Sequence, residues 1–439
     1  MAQILFISRY YPPEKAAAAV CVSETAKRLV KLGHNVMVLT TVPNYPTGIV
    51  PTEYRGHLIQ RELLDGVRVV RVWSYASPNK GFLKRILAQL SFGCLASVLG
   101  GKAIGHPDLI IVESPPLFNV IAARVLAWFK HCPFVFWVAD LWPESAIQLG
   151  ALRNSILIRL SEWLEWSTYQ RASLVWAVTE GMRDTLIRRG LPSKRILLIT
   201  NGVDTTKFCP MPQTWARSVL GWDDRFTVLY AGTHGLSHGL MTVLNAAEQL
   251  LDRDDIRFVL VGDGADKVDL ITQARNRGLK NVEFLDSIPH EQMPQLLAAA
   301  SVCLAHARKV QLFEGMLPIK MIEAMACARP VLLALNGEAR RIAEQEAAAA
   351  IYVEPENASS LNSAILYLRE HPEVAEQLGQ RGRIYVKEHF DYDRLTAELD
   401  ARIEMLLNKR KVPISMEITS FPDSKQGTPE PVSAAVKEK

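Results

Sequence analysis

What this sequence lacks narrows it first. Its six cysteines are scattered, with no Cys-x-x-Cys pair and no zinc-ligand spacing. A reduced cytosolic compartment fits better than a disulfide framework. The opening residues lack the basic stretch of a signal peptide and read instead as a strand, Gln3 to Ser8. There is no Walker A loop, no dinucleotide fingerprint, no Gly-x-Ser-x-Gly elbow and no Ser-His-Asp pattern. No cluster of His, Asp or Glu suggests a metal, so neither a metal nor another cofactor is expected. One-signed charge is also missing. The net charge is +4 over 439 residues, and no nucleic-acid partner is called for.

What is present reads as an α/β protein. Gln3 to Ser8, a helix from Val20 to Leu32 ended by Gly33, and a strand from Val36 to Thr41 form one βαβ unit. Strands recur at Val67–Val72, Leu109–Glu113 and Phe134–Ala139. The second half begins again in the same way. Its strands are read at Thr227–Ala231, Phe258–Val261, Val282–Leu285, Val302–Ala305 and Val331–Leu335, with a helix at Thr242–Leu251. The prediction is two Rossmann-like, doubly wound units, with ligands at the carboxyl ends of their strands. The first covers residues 1–205 and the second residues 206–390, with the crossover near Asn201 to Pro212. A terminal helix is read at 391–409. Residues 410–439 are polar and Pro-rich and read as disordered.

The segment Ile86 to Gly101 carries no charge and is flanked by Lys84, Arg85 and Lys102. It falls short of the roughly 20 residues that span a bilayer. It is either a core helix or an in-plane helix touching a membrane. Trp163 and Trp166 are read as core.

The chemistry points to the second half. Pro318 suits the first position of a helix, which puts Lys320 in the first turn, where the helix dipole disfavours a cation. A diphosphate at that helix start would reverse the sign. The plain alternative is a solvated lysine. Glu323, one turn on, can accept both hydroxyls of a ribose, or merely suit the helix start. The turns Gly232-Thr233-His234-Gly235 and Gly262-Asp263-Gly264 each follow a strand and offer backbone amides to a phosphate. Arg308 and Lys309 follow another strand and either face the phosphates or serve solubility. In the first half, Glu14 and Asp140 lie in loops after strands. They could bind acceptor hydroxyls or assist proton transfer. An N-cap is the alternative for Asp140.

Several stretches together carry a resemblance. They are Tyr11-Pro12-Pro13-Glu14, Pro43-Asn44-Tyr45-Pro46-Thr47-Gly48, Glu113-Ser114-Pro115-Pro116, Asp140-Leu141-Trp142-Pro143-Glu144-Ser145, Asn201-Gly202-Val203-Asp204, Ala231 to Gly235, Val261 to Gly264 and Pro318 to Val331. The chain resembles the retaining family 4 glycosyltransferases of the GT-B fold, in the bacterial WbuB-like and colanic-acid-type polysaccharide branch. The resemblance implies two facing Rossmann-like domains with an interdomain cleft. It implies a nucleotide diphosphate sugar held by the second domain, with Lys320 on the diphosphate and Glu323 on the ribose. Gly232, Thr233, His234, Gly262, Gly264 and Arg308 would complete the donor site. Asp140 and Lys320 would be catalytic. The acceptor, a saccharide or a polyprenyl-diphosphate-linked sugar, would meet Glu14, Asp140 and Glu144. Work at the inner face of the plasma membrane, in exopolysaccharide or O-antigen synthesis, is implied as well.

The sequence departs from that family at several positions. Lys15-Ala16-Ala17 stands where relatives usually carry paired glycines. Ala139 replaces a common Arg, Ala328 a common Gly and Ile319 a common Ser. Glu314 is one position out of register with Glu323 for the family's Glu-x7-Glu motif. Two other functions remain open at this level, a nucleotide-sugar epimerase of the same fold and a scaffold in a polysaccharide assembly complex.

Overall fold

The computed structural model describes residues 1–14, 16–45, 47–77, 82–148 and 152–411. Lys15, Pro46 and the tail from 412 onward, which were read above, lie outside them. The chain forms two open sheets. The first has the strand order β3-β4-β2-β1-β5-β6-β7-β8 and the second the order β11-β10-β9-β12-β13-β14.

In the first sheet the strands are β1 (Gln3–Ile7), β2 (Asn35–Thr41), β3 (Ile59–Leu64), β4 (Val67–Val72), β5 (Leu109–Ser114), β6 (Phe134–Val138), β7 (Leu174–Ala177) and β8 (Ile196–Leu198). All pair in parallel except β3 and β4, which run antiparallel. β5 and β6 are buried along their whole length, which is why they read as unbroken apolar runs. β3 was not anticipated. It pairs with β4 through Asp65 and Gly66, both at positive φ (50° and 79°), as a tight hairpin requires.

The second sheet is parallel throughout: β9 (Phe226–Ala231), β10 (Ile256–Val261), β11 (Val282–Leu285), β12 (Val302–His306), β13 (Val331–Ala334) and β14 (Ala350–Tyr352). The chain leaves β9 toward β10 on one side and returns to β12 on the other. The gap beyond the ends of β9 and β12 is therefore a topological switch point, where open α/β sheets hold ligands.

The last helix, Tyr392–Lys411, returns to the first domain. Leu395, Leu399 and Ile403 join that domain's core. Arg28, on the helix Ala17–Lys31, pairs with Asp393 at 2.5 Å and with Asp204 at 2.9 Å. His34 lies 2.7 Å from Asp400.

The apolar segment forms one helical stretch, Lys84–Ala103, with mean hydropathy 1.4. With its flanks it reaches 20 residues, so by length and composition it can cross a membrane, contrary to the sequence estimate. Only 28% of it is buried, so it is not an enclosed core helix. Trp163 is 64% exposed, against the core reading, whereas Trp166 packs on the core as expected.

Candidate active site

Two glycine turns meet at the switch point of the second sheet. A Cβ on Gly262 (φ +144°) would fall 1.9 Å from the Gly232 carbonyl oxygen, so only glycine lets the turns after β9 and β10 touch. A Cβ on Gly264 would lie 2.2 Å from the His234 carbonyl oxygen. The His234 amide donates to the Asp263 carbonyl and locks the turns together. Thr233 is exposed beside them.

Lys320 reaches this junction from the helix Ile319–Ala326, whose N-cap is Pro318; the proline thus precedes the helix rather than beginning it. The lysine is not the solvated side chain of the plain alternative. It is half-buried, with its ammonium held between Tyr230 and Gly232. Nζ donates to the Tyr230 hydroxyl at 2.7 Å and sits 4.0 Å from the centre of that ring. No carboxylate among the described residues forms an ion pair with it. Burial pushes its pKa down to about 7.

Three histidines line the same place. His234 is buried, and neither ring nitrogen has a hydrogen-bond partner among the described residues. Burial, with the charges of Lys267 and Lys320, lowers its pKa to about 4. Burial and Lys320 lower that of His238 to about 3. His306, at the end of β12, bonds the His238 carbonyl through Nδ1 at 2.6 Å, while its Nε2 has no hydrogen-bond partner among the described residues. Burial lowers its pKa too. Imidazoles whose charged forms are disfavoured by burial thus surround the Lys320 amine.

The other donor-side residues divide. Glu323 is buried, and its Oε1 lies 2.8 Å from His290 Nε2. Burial opposes a charge on His290, but the bond and charge of Glu323 outweigh it and raise its pKa. Arg308 is exposed beside the Gly239 turn, its Nε 3.6 Å from Glu356. Lys309 is committed to Glu354 at 2.6 Å and is a surface ion pair.

The first-domain residues are less uniform. Asp140, after β6, accepts from the Ser145 hydroxyl at 2.8 Å, and burial raises its pKa. Glu14 is buried, and its Oε1 accepts the Asn44 and Tyr45 amides, each at 2.9 Å. That oxygen braces two loops, which argues against the acceptor role read for it. Glu144 pairs with Arg189 at the surface. The domains approach each other at the loop of Asn44 and Tyr45. Tyr45 lies within electrostatic reach of Asp263, and Ile319 packs on the first core.

Comparison with known proteins bears on this geometry. Residues 16–202 match the family described as "Glycosyl transferase 4-like domain", and residues 213–385 match "Glycosyl transferases group 1". The chain belongs to the GT4-like, group 1 glycosyltransferases. It is 26% identical over 393 residues to the "Putative colanic acid biosynthesis glycosyl transferase WcaI" of Escherichia coli K12, covering 86% of this chain and 96% of that one. Its fold is similar to sucrose-phosphate synthase of Thermosynechococcus elongatus, with a TM-score of 0.73 at 20% identity, over 93% of this chain and 100% of that one. It is also similar to Anabaena Alr3699/HepE in complex with UDP-glucose, with a TM-score of 0.70 at 17% identity, over 92% and 100%. The fold is GT-B, as the motifs implied.

In this glycosyltransferase the register departure at Glu314 has a structural consequence. Gly315 occupies the motif's position, and a Cβ on Gly181 would lie 2.8 Å from the Gly315 Cα. That backbone contact joins the two domains where relatives would place a carboxylate. Sequence reasoning missed Tyr230, His238, His290 and His306 as members of this site. Only the Tyr-Ala-Gly ending of β9 hinted at the first. It also missed Glu338, a second-domain carboxylate that accepts the Glu180 and Gly181 amides (3.0 and 2.9 Å) of the first-domain helix Glu180–Arg188.

Proposed function

We propose that this glycosyltransferase takes a sugar from a nucleotide diphosphate donor with retention of configuration and passes it to a saccharide carried on a lipid diphosphate. The observation that carries the donor reading is Lys320. Its ammonium is held against Tyr230 and Gly232, has no carboxylate ion pair among the described residues and sits where two glycine turns meet at a helix start. Burying a cation without a counter-ion is costly, and a diphosphate supplies the missing charge. When the bond from the sugar to the leaving phosphate breaks, negative charge grows on the phosphate oxygens. Lys320 and the first amides of its helix stabilise that charge. The acceptor hydroxyl can give its proton to the departing phosphate, so no protein nucleophile is needed. Asp140, its carboxyl made more basic by burial, is the acceptor-side group best suited to orient that hydroxyl.

The acceptor assignment is supported by the name of the colanic acid relative. Exposed apolar residues of the first domain support a site of action at the inner membrane face. They include Leu87, Val98, Trp128 and Phe129. Thermal unfolding with UDP-glucose, GDP-mannose, ADP-glucose and dTDP-glucose tests the donor reading. A cognate nucleotide sugar at about 100 times its Kd should add roughly 2.7 kcal/mol of stability. No shift with any of the four would refute it.

A further inference from the structure

Tyr230 has a more specific place in this site than packing requires. It lies near the end of β9 with 1% of its surface exposed, and burial keeps its hydroxyl protonated far above neutrality. That hydroxyl has one hydrogen, which it donates to the Thr233 carbonyl at 2.8 Å. The direction of its lone pairs is thereby fixed, and one of them receives Lys320 Nζ at 2.7 Å. On the other side a Cβ on Gly232 would fall 2.7 Å from Nζ. The amine is therefore wedged between the Tyr230 ring and the backbone of the first glycine turn. An ammonium carries three donors, and Tyr230 takes only one.

We propose that Tyr230 is a positioning residue for Lys320: anchored by Thr233, it parks the ammonium against Gly232 with the remaining donors free for the donor diphosphate, and so sets the pH range over which the donor binds. This rests on the donor reading above. The groups facing Lys320 are Tyr230 on β9, His234 and His238 on the loop that follows, His306 at the end of β12, and Glu323 on its own helix, itself paired with His290. Beyond His234, the Lys267 ammonium is committed to Asp286 and to the Gly262 and Leu285 carbonyls. Burial disfavours the charged forms of His234, His238 and His306, so the groups of this cluster whose charge responds near neutrality are Lys320, lowered by burial, and His290, raised by Glu323.

The sign follows from linkage. The empty site holds a lysine that is partly deprotonated at neutral pH, and a diphosphate favours the charged form. Donor binding then takes up a proton. Below about pH 7 the lysine is already charged, and affinity is flat. Above it, affinity falls by up to about tenfold per pH unit. The Tyr230 hydroxyl favours the charged form by accepting a hydrogen bond from it. Removing it should move the onset of this fall to lower pH.

The test is calorimetric titration of wild type and Tyr230→Phe with the tightest binder among the four nucleotide sugars, whose diphosphates do not titrate near neutrality. Two buffers of different ionisation enthalpy give the protons taken up. Tyr230→Phe should bind about tenfold more weakly at mildly alkaline pH, the scale of a lost hydrogen bond to a charged group. Its pH profile should move down by about one unit. An unmoved profile would overturn the inference, even if the variant were less stable. Lys320→Met provides a second arm. It should make Tyr230→Phe silent in the double variant, in affinity and in pH profile alike, whereas fully additive losses would overturn the inference. If none of the four sugars binds wild type, the donor reading falls and takes this inference with it. If binding occurs with an unmoved profile, only the inference falls.

Discussion

Ala328 stands at φ +53° just beyond the helix that carries Lys320. A residue with a Cβ pays about 1–2 kcal/mol for that left-handed conformation. Glycine, usual here in relatives, pays nothing in the fold but loses more freedom on folding. The net expectation for Ala328→Gly is a stabilisation of about 1 kcal/mol, or roughly 2–4 °C in Tm. Calorimetric melting checks it, and an unchanged or lower Tm would mean that the Ala328 methyl group contributes packing of its own. The same scale shows what local rules can and cannot reveal. Lys320 was legible because it breaks a local rule, a cation in a first helical turn. Its partner was not, because Tyr230 lies 90 positions away and the contact exists only once β9 and the helix Ile319–Ala326 are adjacent. The pairing of His290 with Glu323, 33 positions apart, was hidden for the same reason.

At the scale of elements, the long central strands announced themselves, as did the edge strand β11, whereas β7 and the edge strands β3, β8 and β14 did not. β5 and β6 are buried on both faces and so carry unbroken apolar runs. β3 mixes Gln60, Arg61 and Glu62 into its length, with alternating exposure, because it lies at the sheet edge. Its only strong signal was the Asp65-Gly66 turn. The helical stretch Lys84–Ala103 was ambiguous because an apolar pattern states that a face must be covered, not by what. It packs beside the helix Asn119–Lys130, whose Trp128 and Phe129 are 70% and 64% exposed. Leu87 and Val98 are 57% and 71% exposed, and Lys84, Arg85, Lys102 and Lys130 flank these positions. A basic rim around exposed apolar side chains suits an anionic lipid surface. Replacing Leu87, Val98, Trp128 and Phe129 together with Ser should leave the fold intact, since none of the four is buried. It should also abolish co-sedimentation with anionic vesicles. Undiminished co-sedimentation would show that this face is not the lipid contact. An unfolded variant would show that it is core.

For the whole molecule, the repetition of a βαβ pattern was enough to foresee two doubly wound units, and the family resemblance implied that they face each other. How they are fastened was not foreseeable. Arg28 joins the first domain to Asp204 in the crossover and to Asp393 on the returning helix. Glu338 of the second domain caps a first-domain helix, and Arg341 pairs with Glu180 at 2.8 Å beside it. These links join residues far apart in the chain, and the sequence pattern of either partner fits a solvated surface equally well. Their effect is to fasten the second domain to the first, where the Asp263 turn lies within electrostatic reach of Tyr45, so that turnover tests the arrangement as a unit. Steady-state release of nucleoside diphosphate by Lys320→Met is the measurement closest to the centre of the account. Methionine keeps the unbranched length and removes only the charge and its donors, so the melting temperature should hold. Losing one preorganised donor to the leaving group should cut turnover by about a hundred- to a thousandfold. Near wild-type release by a folded Lys320→Met enzyme would contradict the account and send the search for the diphosphate site to Arg308 and the turn around His234.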